Sequence, residues 1–181
     1  MKSAAAALAR MYAVVGTGSY LIGDGQHAPR EVAGVPGSPF THGWQLDCVG
    51  AVLWTYDIPR HRPGYNVGPW SSCVDDVNVD SAIEDAQHAK ELFVEVTRAE
   101  ALPGDLLAYH SDPAHGIRWG HVGMIRGRDT QTGRLTVIQS HGPNGAKMCV
   151  LTDDAIWCRH DDMHPHNPTV YLRVKAAPGA P

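Results

Sequence analysis

The chain has 181 residues, 43% of them hydrophobic and 19% charged, which suits one globular domain and excludes wholesale disorder. Fifteen Lys and Arg against 19 Asp and Glu give a net charge of -4, with no basic block to track phosphates, so nucleic acid is not an expected partner. No apolar run is long enough to insert into a membrane.

The chain opens with an alanine-rich stretch that Arg10 interrupts too early for an export signal. It is read as a helix over 3–15 with Leu8, Met11, Tyr12 and Val15 on one face, and no signal peptide is expected. Residues 16–43 carry many glycines and Pro29, Pro36 and Pro39, and read as a loop. Val49, Val52, Leu53 and Tyr56 then recur at helical spacing, with Asp47 as N-cap and Pro59 as stop. Residues 60–80 are irregular, and Ser81 to Glu84 suggests a capping box opening a helix that runs to Lys90. Strands are expected over 92–97, within the turn and strand of 103–109, and over 121–127, 134–141 and 170–174, the middle ones as an antiparallel meander. One domain over 1–175 and a mobile tail over 176–181 complete this reading. With no export signal, Cys48, Cys73, Cys149 and Cys158 are expected as thiols, a Cys149 to Cys158 bridge remaining open.

A cysteine in the first turn of a helix faces unpaired N–H groups and the positive end of the dipole, which favours the thiolate. Cys48 has that place. A histidine must take its proton, and His121 opens a strand of the sheet that the Cys48 helix covers. A third polar group fixes the imidazole tautomer; Gln139 and His141 lie on one face of the next strand, and parity does not choose between them. The dense segment from His160 to His166, with Asp161 or Asp162, is weighed as a metal site, but Pro165 and Pro168 favour a solvated polar loop. No metal is assigned.

These residues resemble the NlpC-type cysteine peptidases, papain-like hydrolases of peptidoglycan, with the CHAP amidases as close relatives. Asp47-Cys48-Val49-Gly50 looks like the family's Asp-Cys-Ser-Gly motif, with Val49 where serine is usual. Pro103-Gly104-Asp105-Leu106 is similar to its Pro-Gly-Asp-Leu strand, and Gly120-His121-Val122-Gly123 to its His-Val-Gly strand. Tyr20 to Gly25 resembles its Tyr-x-x-Gly-Gly turn, interrupted by Asp24. The resemblance spans residues 5 to 142.

It implies an α+β papain-like fold with the nucleophile at the N-terminus of the central helix. By position, Cys48 is the nucleophile, His121 the base, and Gln139 the third residue where the family commonly has histidine; His141 is the second choice. The Cys48 N–H and Tyr20 would serve the oxyanion, with Asp47 beside them. No cofactor is implied, and the partner is bacterial peptidoglycan, cut at a peptide or amide bond as by a phage or prophage endolysin made in the cytoplasm and released to the wall. The long interval between Cys48 and His121 suggests that 60–80 and 110–120 wall a substrate groove. Two other readings stay open: a papain-like amidase, deamidase or toxin acting on another amide, and a catalytically silent wall-binding domain.

Overall fold

The computed structural model describes residues 1–17, 19–20, 45–67, 75–141 and 150–175. Helix α1 (Ala4–Ala13) begins at Ser3, whose hydroxyl accepts from the Ala6 N–H. Ala7, Met11 and Val14 form its buried stripe, while Tyr12, expected inside, is half exposed. Small Ala7 is the reason: it lets α1 lie close on the core one step round from the stripe drawn by the larger side chains.

Two short parallel strands, β1 (Ser19–Tyr20) and β2 (Gln45–Leu46), lead into α2 (Cys48–Tyr56). Every residue of α2 is buried, as befits a helix apolar all round. Asp57 ends it in the left-handed region at φ 54°, two residues before Pro59, and its carboxylate pairs with Lys2 and Arg10. Helix α3 (Val79–Glu84) starts three residues earlier than the sequence suggests: Asn78 and Ser81 cap one another, so Ser81 is the third residue of the box and not its first. Its last turn widens into a π-turn over Asp85–Ala89. The buried Asp85 carboxylate then accepts from the N–H groups of Glu91, Leu92 and Phe93, fixing the entry to the sheet.

Strands β3 (Phe93–Val96), β4 (Leu106–Tyr109), β5 (His121–Arg128), β6 (Leu135–Gln139), β7 (Val150–Asp153) and β8 (Val170–Val174) form one antiparallel sheet in the order β3-β8-β4-β5-β6-β7. The meander from β4 to β7 follows the sequence expectation, extended by β7. Helix α4 (Ala155–Met163) was also unforeseen. Only Trp157 and His160 of it are buried, so it carries almost no apolar periodicity.

The sheet separates two cores. Leu106, Ala108, Val122, Met124 and Ile138 pack with α1 and α2, and Leu107, Ile125, Leu135 and Val137 pack with Trp157. Two motif glycines are explained by contact. Gly104 sits at φ 96°, and a Cβ there would lie 2.7 Å from the Ala4 Cβ. A Cβ on Gly123 would meet Val137 at 2.6 Å and the Trp157 ring at 2.9 Å, so this glycine lets the indole lie on the sheet. Asp105, between Gly104 and β4, takes two bonds from Arg173 at 2.9 and 2.7 Å and one from the Leu102 N–H. No helix among the described residues is long and apolar enough to cross a membrane.

Candidate active site

The chemistry-bearing residues gather where β4 ends, β5 begins and β6 ends, beside the first turn of α2. Cys48 is the first residue of α2, and Asp47 is its N-cap: one carboxylate oxygen accepts from the Gly50 N–H at 2.6 Å, and the other receives the Arg60 guanidinium at 2.8 Å. Nothing in the sequence singled out Arg60, which is 12 residues beyond Cys48 and largely enclosed. It neutralises a carboxylate that would otherwise stand unpaired beside the thiol.

Cys48 is 7% exposed. Burial, and next the charge of Asp47, push its thiol up to about 12, against the opposing pull of the Val122 and Val49 N–H groups and of Arg60. The expected thiolate is thus outweighed: the field at the end of a nine-residue helix is worth less than the loss of water around a charged sulfur. The Val122 amide that faces the sulfur belongs to the residue following His121, so the thiol stands at the start of β5.

His121 is 4% exposed and its imidazole bonds through Nε2 to Gln139 Oε1 at 2.7 Å. An amide oxygen only accepts, so Nε2 carries the proton and Nδ1 holds the free lone pair. Gln139 is itself oriented, its Nε2 donating to Thr152 Oγ1 at 3.1 Å. Gln139, not His141, therefore meets His121. His141 is exposed and presents its ring edge to His121 at 4.8 Å between centroids. The Trp157 indole stacks on the imidazole, centroids 5.5 Å apart and 20° between planes. Sequence reasoning missed Trp157 and Thr152, because α4 and β7 were not foreseen.

Burial lowers the His121 pKa to about 4, against the bond that His121 donates to Gln139 and with the help of His141. Between its ordinary 6.5 and that value the unfolded chain binds a proton here that the folded chain refuses. Stability is expected to fall as pH falls through this window, by up to about 3 kcal/mol. Urea unfolding of wild type and His121→Gln at pH 6.5 and about pH 4.5 checks this; equal losses in both proteins would contradict it.

A cleft of about 540 Å³ opens on this end of the sheet, walled by Tyr109, Trp119, His121, His141, Arg159 and His164 among others. Gly116 to Gly120 contribute to it, as expected of the 110–120 loop, whereas the described part of 60–80 does not. Cys48 is not among its walls. Tyr109, beside the thiol, has its own hydroxyl pushed up to about 12, first by burial and then by Cys48.

The other expectations divide. The Tyr20 backbone pairs in β1, but its side chain lies outside the described residues, as do Cys73, Cys149 and the 176–181 tail. Cys48 and Cys158 are free thiols. The first half of the polar segment 160–166 is not the solvated loop expected: His160 to Met163 belong to α4, His160 bonds to the Asn167 carbonyl at 2.7 Å and stacks on Tyr109 at 3.8 Å, and Asp161 is bonded to Thr169, while Pro165 and His166 are exposed. His166 instead meets Asp112 and His115, which the sequence gave no reason to join to it.

No family profile and no curated protein matches this chain. Solved structures do. Ly7917 superposes with a TM-score of 0.50 at 15% identity, over 94% of this chain and 62% of its own. A second structure of Ly7917, holding "the hydrolyzing product of MDP", gives 0.51 at 16% identity over 96% and 63%. A protein of the NLP/P60 family from Staphylococcus aureus subsp. aureus Mu50 gives 0.45 at 18% identity, over 96% and 42%. The chain thus spans less than two thirds of the length of these neighbours. At such identities the likeness to Ly7917 is one of fold alone, and the fold here is an α+β domain with a six-stranded antiparallel sheet.

Proposed function

We propose that this protein is a cysteine peptidase or amidase that hydrolyses a peptide or amide bond of bacterial peptidoglycan. The observation that carries the reading is the bond from His121 Nε2 to Gln139 Oε1, which leaves Nδ1 as a base at the start of the strand whose Val122 amide faces the Cys48 sulfur. The fold it shares with Ly7917, a protein solved with the hydrolyzing product of MDP, supports a cell-wall substrate.

In this mechanism the Cys48 sulfur attacks the substrate carbonyl as its proton passes to His121 Nδ1. With the thiol high and the imidazole low, the resting pair is neutral, and charge separates only as the S–C bond forms. The carbonyl oxygen gains negative charge beside the N–H groups of the α2 first turn. The imidazolium, held by Gln139, returns the proton to the leaving amine; the C–N bond breaks and a thioester remains. Water, deprotonated by Nδ1, then releases the acid and restores the thiol. No metal or cofactor enters.

The burial of Cys48 favours a second reading, a wall-binding domain without catalysis. One experiment separates the two. Purified peptidoglycan from several wall types is incubated with wild type and with Cys48→Ala, and soluble fragments are identified by mass spectrometry. Release of stem-peptide fragments by wild type alone is expected. Sedimentation with the wall and no release from any of them would establish the binding reading, and release that survives Cys48→Ala would eliminate the thiol mechanism.

A further inference from the structure

We infer that Asp112, His115 and His166 form a binding site for a divalent transition-metal ion of the zinc class. The three side chains come from two segments 54 residues apart, and one ligand atom from each lies within 4.8 Å of the others. Both imidazoles converge on a single carboxylate oxygen: His115 Nδ1 stands 2.7 Å and His166 Nε2 3.1 Å from Asp112 Oδ2. Ligands of a tetrahedral ion bound at ~2.0–2.2 Å stand ~3.3 Å apart, so the ion enters as the two carboxylate contacts open by ~0.2–0.6 Å and the two ring nitrogens close by up to ~1.5 Å, a movement open to exposed side chains. Two imidazoles and one carboxylate select zinc and its neighbours over calcium or magnesium, which prefer all-oxygen shells.

The backbone around the cluster is already set. Asp112 and Ile117 exchange both N–H···O bonds, at 2.7 and 2.9 Å, closing the loop that carries His115 on the short 3-10 turn Pro113–His115. The other segment is pinned by Asn167, whose amide donates to the His110 carbonyl at 3.0 Å while its own carbonyl meets His160. No Lys or Arg pairs with Asp112 among the described ion pairs, so its charge is left to the two histidines. His115 and His166 are exposed, which gives an ion a path in and leaves its fourth position to water. Gly116 to Gly120 and His164, adjoining the cluster on either segment, line the cleft beside His121. Bound metal therefore ties two walls of that cleft together. This inference stands independently of the hydrolase reading.

The test uses untagged full-length protein stripped with chelator, carrying Cys48→Ala and Cys158→Ser so that neither described thiol competes. Zinc is titrated against a chromophoric chelator, and thermal unfolding is followed with and without zinc chloride. One equivalent is expected to bind, with a rise in Tm. His115→Ala, His166→Ala and Asp112→Asn should each weaken binding by roughly 100-fold or more, at or above the upper end of the ~10- to 100-fold cost of losing a group that merely supports a ligand, and abolish the rise. Unchanged Tm values without metal would show that these exposed replacements leave the fold intact. Less than half an equivalent bound, or variants that bind as the parent does, would overturn the site.

Discussion

Replacing His121 with alanine is expected to lower kcat for peptidoglycan by roughly four orders of magnitude while leaving a folded protein. The effect is large because the Cys48 thiol, held near 12 by burial and Asp47, supplies almost no thiolate of its own at neutral pH. All of the nucleophile's activation falls to the base. Gln139→Ala should cost less, on the order of 10- to 100-fold, since it frees the imidazole to turn and expose the wrong nitrogen but leaves a base in place. The conservative Gln139→Asn, whose carbonyl is one methylene shorter, should fall between. His141→Ala should leave kcat near that of wild type and move the acid limb of the pH profile upward, because His141 contributes to lowering the His121 pKa. Steady-state kinetics on solubilised fragments across pH 4 to 8 reads all four. Should His141→Ala prove more damaging than Gln139→Ala, His141 and not Gln139 is the third residue; an active His121→Ala would remove the histidine from the mechanism.

That the sequence yields Cys48, His121 and Gln139 as a group follows from where its signals are strongest. Helix α2 is apolar on all sides and begins at an aspartate, and β5 and β6 are separated by a polar turn, so their existence is written in short-range pattern, whereas the register shift between Ile125 and Gly127 is not. The choice of Gln139 over His141 is different. Both share a face, and the decision rests on His121, two residues before the Gly123 that pairs with Gln139, reaching diagonally to position 139, a matter of side-chain direction that spacing does not encode. Trp157 and Arg60 were out of reach for another reason. Each acts through a contact distant in sequence, one in a hole left by Gly123 and the other on Asp47. The Asp112, His115 and His166 group belongs to the same class, since an irregular loop and the end of an unforeseen helix meet only in three dimensions. The state of the thiol also escaped: the helix position is local and legible, whereas the burial that outweighs it is a property of the whole core.

Alkylation of Cys48 by iodoacetamide at neutral pH is expected to run roughly a thousandfold slower than that of an ordinary cysteine, because raising the thiol from 9.0 to about 12 removes that share of the reactive thiolate. Cys158 is exposed and provides the comparison within the same molecule. Peptide mapping by mass spectrometry after timed quenching gives both rates at once. A preformed ion pair with His121 would produce the opposite pattern, Cys48 reacting faster than Cys158 and keeping its rate into mildly acidic buffer. Asp47→Asn sharpens the distinction. It removes the negative charge that ranks next after burial in holding the thiol up, while the amide can still cap α2, so Cys48 should react faster than in wild type. If Asp47→Asn instead slows alkylation, the carboxylate is acting through Arg60: freed of its partner, the guanidinium would have left the thiol. A slow thiol that nonetheless cleaves peptidoglycan would place its activation in the encounter with substrate, where proton transfer to His121 Nδ1 and formation of the S–C bond proceed together.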